Sequence, residues 1–304
     1  MTGLVDRAGA EGLGVTETTT CEVAVAAQAV LGAAPTWDAS ADSLLWVDSF
    51  SQEVHRYQPA RDQDDVLSVP QIVSAARPRS RGGIVTNLRD GVALIDTDNT
   101  RTWLVYWARD GVRGGEAAVD PSGRLWATTT RADGGGTDGW LVSVEPDGAA
   151  RVALHGVGLG AGLGWSPDWR LMYFVDATSR RIDVFDFDAS TGALGNRREF
   201  RAFDRSEGLP GGIAVDAEGC VWVTMYGAGS VRRHTPDGAF DREFRLPVSR
   251  PTACAFGGIG FTDLYVTSAR HGMGDQQLAD EPEAGSLLVL PDVGAGQPST
   301  VFPG

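Results

Sequence analysis

Residues Leu31–Asp48, LGAAPTWDASADSLLWVD, read as two short strands, Pro35–Asp38 and Leu44–Asp48, joined by a polar turn. Alternating apolar and polar residues bounded by Asp, Ser and Pro are the pattern of an antiparallel hairpin. The phrase returns along the chain. First strands of the same kind are GGIVT at Gly82–Thr86, AAVDPSG at Ala117–Gly123, GLGWSPD at Gly162–Asp168, GIAVDAEG at Gly212–Gly219 and ACAFGG at Ala253–Gly258. Each is followed by a second strand (LLWVD, GVALID, GRLWATT, RLMYFVD, GCVWVTM, TDLYVTS) and most by a third, such as RIDVFDFD or SVRRHTPDG.

A repeat of roughly 30–50 residues is the length of a propeller blade. Six blades closing on one another leave no long free sheet edge and bury their apolar faces between neighbours. The sequence therefore predicts an all-β, six-bladed β-propeller, one domain over residues 21–304, after a disordered leader over residues 1–20. The strand Cys21–Ala29 is expected to supply the outer strand of the last blade. Side chains at the start of each innermost strand then share a central channel, and they decide the function.

Composition narrows the partners. A net charge of −14 over 304 residues disfavours nucleic acid and anionic membrane, which need basic patches. No apolar run reaches the roughly 18 residues of a membrane span, and the first twenty residues lack the apolar segment of a secretory signal. Cys21, Cys220 and Cys254 are odd in number and widely spaced, which fits neither a disulfide framework nor a zinc site. A cytoplasmic protein with a small-molecule ligand is the expectation. Its oligomeric state is left open.

The segments VDPSGRLWATT, GLGWSPDWRLMYFVD, RIDVFDFDASTGALGNRREF, GIAVDAEGCVWV and PTACAFGG with LYVTSAR, in that order, resemble the senescence-marker-protein/gluconolactonase (regucalcin-like) family. The resemblance covers nearly the whole chain from Cys21 and implies a six-bladed propeller. It also implies a lactonase with one divalent metal in the channel, bound by a Glu, an Asn and an Asp. Those three positions fall here on Ala33, Ala161 and Gly211, and a substrate-contacting Asn falls on Gly115 within Arg113-Gly-Gly-Glu116. A hard cation needs several oxygen ligands, and Ala and Gly side chains offer none. The expectation is no metal, no cofactor, and a channel widened at Ala33, Ala34, Gly115, Ala161 and Gly211.

What remains for chemistry is Glu116, Asp133 and His155 as acid–base candidates, with Arg113 to stabilise an oxyanion. Arg131, Trp165, Tyr226 and His271 are candidate substrate contacts. A Glu desolvated in an apolar channel has a raised pKa suited to proton transfer, whereas a salt bridge to Arg113 would make it structural. Asp133 lies ahead of a flexible GGGTDG loop, and His155 and His271 are read as mouth-side loop residues. His55 and His234 are read as structural, and Trp37, Trp46, Trp126 and Trp222 as core. No GxSxG, HExxH or GxxxxGK[ST] occurs. The leading function is a metal-independent enzyme acting by hydrolysis, cyclisation or isomerisation on a small molecule, such as a specialised metabolite. The alternatives are a lactonase with displaced metal ligands and a non-catalytic binder.

Overall fold

The computed structural model describes residues 15–16 and 20–304. They form six sheets arranged as the blades of a propeller, each a four-stranded antiparallel meander, with a short fifth strand added in parallel to the outer edge of blade 5. The innermost strands are Gly32–Asp38, Val73–Pro78, Val112–Val119, Gly160–Trp165, Leu209–Val215 and Pro251–Gly257. Each packs on the next, and Pro251–Gly257 packs back on Gly32–Asp38, so the ring is closed.

Closure is completed by the chain's own beginning. Strand Glu22–Val25 pairs antiparallel with Leu287–Leu290 as the outer strand of blade 6, as the sequence predicts. Of the predicted leader, Val15–Thr16 lies parallel to the outer strand of blade 5 at Arg242 and Glu243, and residues 1–14 and 17–19 fall outside the described residues. The core is divided among the blade interfaces. Tyr173, Val184, Ile213 and Val223 fill the space between blades 4 and 5, and Trp126, Leu141, Phe174 and Phe185 that between blades 3 and 4. Among the described residues the one α-helix, Asp275–Asp280, is six residues long, and no helix is long and apolar enough to cross a membrane.

Blade 2 differs from the sequence reading. GGIVT belongs mostly to the second strand, Ile84–Leu88, and the innermost strand is Val73–Pro78. That strand carries Arg77 beside Pro78, which interrupts its apolar run, and the stronger pattern of its neighbour draws the reading one strand outward.

Recurrent carboxylates explain why the phrase repeats. Asp120 accepts hydrogen bonds from Ser122 N, Arg124 N and the Trp126 Nε1–H, and Asp216 accepts from Glu218 N, Cys220 N and the Trp222 Nε1–H. These Asp residues hold the turn at the far end of blades 3 and 5. Asp48 and Asp176 close the second strands of blades 1 and 4 and accept backbone N–H bonds from Val30 and Leu31, and from Gly158 and Leu159. They fasten each blade to the segment that enters it. Buried acceptors of this kind are structural, because every N–H they take would otherwise be orphaned.

Candidate functional site: the axial channel

Every innermost strand is irregular at the same height. Pairing with the second strand shifts between Ala33 and Thr36, Val73 and Ala75, Gly114 and Ala117, Gly160 and Gly162, Pro210 and Ile213, and Pro251 and Ala253. A bulge adds a residue and re-aims its side chain. These bulges in register therefore build a ring of positions at the channel mouth, to which blades 2 to 6 contribute Ser74, Gly115, Ala161, Gly211 and Thr252.

The cavity below this ring encloses about 180 Å³. Two layers of inner-strand residues line it. The layer two residues before each turn holds Thr36, Arg77, Ala118, Gly164, Ala214 and Ala255, and the layer above it holds Ala34, Glu116, Gly162, Gly212 and Ala253. Each layer thus has a single long side chain, on adjacent blades 2 and 3. Among the described residues, Arg77 and Glu116 are the only charged ones of the lining.

They meet. Arg77 donates from Nη2 to Glu116 Oε1 at 2.7 Å and from Nη1 to the carbonyls of Ala34 and Ala76 at 2.7 and 2.9 Å. Glu116 Oε1 also accepts the Ala117 N–H, which leaves Oε2 without a partner among the described residues. The side chains are 8% and 11% exposed. Burial pushes the Glu116 carboxyl above its ordinary range, against the opposing pull of the Arg77 guanidinium and the Ala117 N–H. Burial likewise lowers the Arg77 pKa, against the pull of Glu116.

The other expected site residues scatter. Glu116 pairs with Arg77 and not with Arg113, whose guanidinium lies at the mouth 5.9 Å from the Phe50 ring and bonds the Gly114 carbonyl. His271 packs on the same Phe50 ring at 5.0 Å, and Tyr226 lies beneath the guanidinium of Arg250, so both are rim residues and not cavity lining. Trp165 lines the cavity as expected. Asp133 does not reach the channel. It is exposed in the loop after Leu125–Arg131 and held by Arg131, which also bonds Asp138, so both Asp133 and Arg131 belong to a surface ion-pair cluster. Hydrogen bonds from Arg131 and the Gly135 N–H hold the Asp133 carboxyl well below the carboxylate range. His155 is not in a loop but on the exposed outermost strand Ala150–Val157, edge-on to Trp140. His55 and His234 are buried, and Trp37, Trp46, Trp126 and Trp222 are core, as expected.

The widening expected at Gly115 and Gly211 is absent. A Cβ at Gly115 would lie 2.6 Å from Thr128 Oγ1, and one at Gly211 would lie 2.5 Å from both Thr224 Oγ1 and the Thr252 carbonyl. On the second strands of blades 3 and 5, the fully buried Thr128 and Thr224 stand behind these glycines. Sequence alone counts a lost side chain as empty volume, but here a neighbour fills it.

Sequence reasoning missed two components. Arg77 escaped because its strand was misassigned, although an Arg between Ala76 and Pro78 in an apolar run was the available signal. The second is the C-terminal segment. Ala295 and Gly296 bond to Ala217 and Phe261 at blades 5 and 6, whereas Phe302 bonds to Pro78 and Ser80 at blade 2. The residues between them cross the far end of the channel, and Gln297–Thr300 form its floor.

A hard cation held in the family manner does not fit these side chains. Ala33, Ala161 and Gly211 present no oxygen, and Glu116, the one carboxylate of the cavity lining, has Oε1 engaged by Arg77. Two buried side-chain oxygens among the described residues lack a donor, Asp64 Oδ1 and Asn87 Oδ1, and neither residue is part of the cavity lining. Among the described residues the one cluster with cation-binding spacing is Asp216, Glu218 and Cys220, and there Asp216 is already bonded to Trp222, Arg233 and two backbone N–H groups.

A closed six-bladed ring with a one-sided charged wall in its channel defines a β-propeller with an axial cavity. The chain belongs to the SMP-30/Gluconolactonase/LRE-like region family, which matches residues 31–270. It is 34% identical over 269 residues to regucalcin of Danio rerio, covering 87% of this chain and 91% of that one. Among solved structures, the calcium-binding protein regucalcin of Agrobacterium tumefaciens is similar with a TM-score of 0.90 at 26% identity, covering 93% of this chain and 97% of that one. A luciferin-regenerating enzyme is similar with a TM-score of 0.88 at 25% identity, covering 94% and 99%.

Proposed function

We propose that this chain is a lactonase-type enzyme that works without a channel metal, using Glu116 as its acid–base group and Arg77 as its electrostatic stabiliser. The observation that carries the reading is the Arg77–Glu116 pair, the only charge in the cavity lining, where other members of the family are expected to place a cation. The remaining conspicuous carboxylates, Asp48, Asp120, Asp176 and Asp216, are consumed by backbone N–H groups.

For a lactone the chemistry balances as follows. Glu116 Oε2 takes a proton from a water whose oxygen attacks the carbonyl carbon, and the resulting oxyanion is met by the Arg77 guanidinium. Three of the five Arg77 N–H donors are used within the protein, which leaves two for such an oxygen. The ring C–O bond breaks as the tetrahedral species collapses, and Glu116 returns its proton to the departing alkoxide oxygen. The raised Glu116 pKa makes it a better base than an exposed carboxylate once ionised. The same pair can serve a cyclisation or isomerisation that needs one proton moved beside a carbonyl. Three free thiols agree with a reducing, cytoplasmic setting.

The test is a panel of lactones assayed with the wild type and Glu116→Gln in chelator. The reading expects turnover by the wild type and a loss of about 10²–10⁴-fold in kcat in the variant, the usual contribution of general acid–base catalysis. Equal rates in the two proteins would remove Glu116 from the chemistry. Saturable ligand binding with no turnover by either would make the chain a binder.

A further inference from the structure

Glu116 stands on a bulge, and a bulge is soft unless something besides the sheet holds it. Pairing of its strand with Leu125–Arg131 is interrupted between Gly114 and Ala117, so Gly115 and Glu116 stand outside the ladder. As the innermost strand of its blade it has no sheet neighbour on the axial edge. The carbonyls of this stretch need donors from elsewhere, since a buried carbonyl without one is costly. Three buried side chains supply them, one for each successive carbonyl. Ser74 Oγ donates to the Gly114 carbonyl at 2.7 Å, Asn87 Nδ2 to that of Gly115 at 2.8 Å and Thr128 Oγ1 to that of Glu116 at 3.0 Å. Asn87 Nδ2 also donates to the Thr128 carbonyl at 3.0 Å, which ties the bulge to the strand behind it.

Ser74 and Asn87 belong to blade 2, which carries Arg77, and Thr128 belongs to blade 3, which carries Glu116. The three donors therefore fix the two charged side chains relative to each other. Asn87 is the distinguishing member. At the register shifts of blades 5 and 6 the second strands place Thr224 and Thr267, which donate to Gly212 and Ala253 of their own blades, as Thr128 does in blade 3. Asn87 takes that place in blade 2, pairing with the first residue after the shift as Thr267 does, but its longer amide crosses to the next blade. The crossing has two costs. Asn87 Oδ1 is buried with no donor among the described residues, and a Cβ at Gly114 would lie 2.5 Å from it, which keeps Gly114 a glycine. Blades 5 and 6 close with threonine and incur neither.

We propose that Ser74, Asn87 and Thr128 are positioning residues for Glu116, and that the Asn87 amide sets the Glu116 carboxylate against Arg77 across the boundary between blades 2 and 3. The proposal rests on the reading of Glu116 as the acid–base group, and it assigns to the bulge the precision that proton transfer at one carboxylate oxygen requires.

The experiment reads the carboxyl itself as well as turnover. Carbon-13 NMR of glutamate-labelled protein follows the Glu116 carboxyl through a pH titration, its signal assigned by its loss in Glu116→Gln, and lactone kinetics are measured on the same proteins. Asn87→Leu removes the amide at similar volume. Thr128→Val removes the hydroxyl at similar shape and decides the matter if Asn87→Leu does not fold. Thr130→Val is the control, because Thr130 Oγ1 makes a bond of the same kind away from Glu116, to the Gly158 carbonyl at 2.8 Å. In Asn87→Leu and Thr128→Val the Glu116 titration should move by about half a pH unit or more toward the ordinary glutamate value, as water enters the loosened bulge. Their kcat should fall about 10–100-fold with KM within about twofold, the signature of a misplaced group and not of lost binding. Thr130→Val should lower stability and move neither readout. A titration and a kcat unchanged in both variants overturn the proposal, even if Glu116→Gln abolishes turnover. A shifted titration where Glu116→Gln leaves turnover unchanged upholds the positioning and sinks the catalytic reading instead.

Discussion

The two sides of the channel are made by the same fold and have opposite chemistry. Blades 2 and 3 contribute Arg77 and Glu116, a buried ion pair on one wall. Blades 4, 5 and 6 contribute Gly162, Gly164, Gly212, Ala214, Ala253 and Ala255 at the matching heights. Away from the axis the blades converge again, since blades 3 and 5 close their far turns with the same Asp–Trp hydrogen bond at 2.9 and 2.8 Å. The propeller thus separates two tasks. Repetition is found in residues that terminate strands and satisfy turns, and individuality in the inner-strand positions that face the channel.

That contrast can be broken most forcefully at its charged wall. Glu116→Gln should cost about 10²–10⁴-fold in kcat while leaving the fold intact, because glutamine still accepts the Arg77 and Ala117 hydrogen bonds. The pH profile of the wild type should show an acid limb above the ordinary glutamate range, since deprotonation of a carboxyl raised by burial switches the base on as pH rises. A limb near the unperturbed value would indicate that the carboxyl is solvated.

The repeated scaffold should respond in stability and not in rate. Asp120→Ala leaves the buried Trp126 Nε1–H, two backbone N–H groups and the Arg124 guanidinium without their acceptor. The loss should be on the order of 3–5 kcal/mol in denaturant unfolding. A loss below about 1 kcal/mol would mean that water replaces the carboxylate.

His234 gives a scaffold effect that depends on pH. It is buried among Phe203 and Phe240, and burial, helped by the nearby Arg201 guanidinium, lowers its pKa to about 4 from 6.5. Between those values the unfolded chain binds the proton and the folded chain does not, so acid favours unfolding. Stability should fall by on the order of 3 kcal/mol from pH 6.5 to pH 4 through this residue. His234→Phe should flatten that part of the curve, and an unchanged slope would assign it to other groups.

The smallest effect sharpens the account of the lost ligand positions. Gly211→Asp should destabilise by about 1–3 kcal/mol, because its Cβ meets Thr224 Oγ1 and the Thr252 carbonyl. Adding Thr224→Ala should recover part of the loss. Full tolerance of the single variant would show that the threonine does not occupy the ligand's place.

The fold was legible because strand-terminating residues repeat in the sequence: VD at 47–48 and 175–176, and the turns after Asp120 and Asp216. Glu116 was legible for the same reason, as a carboxylate at the start of an inner strand. Arg77 was not, because its role comes from reaching across from blade 2 to Glu116 on blade 3, a separation of 39 residues. The threonines behind Gly115 and Gly211 and the crossing of Gln297–Thr300 were hidden similarly, since both depend on which strands become neighbours. Asp133 and His155 were over-read, because titratable residues near a predicted mouth were credited with facing it. Residue type fixes what a group can do, whereas blade register decides where it is.

The central claim is that an ion pair, and not a cation, carries the charge in this channel. The most direct measurement is divalent-metal content by mass spectrometry on protein purified without tags or chelators, followed by lactonase assay before and after exhaustive chelation. The account predicts well under one metal per chain and a rate unchanged by chelation. One bound divalent ion per chain, with activity lost on its removal and restored on its return, would contradict it.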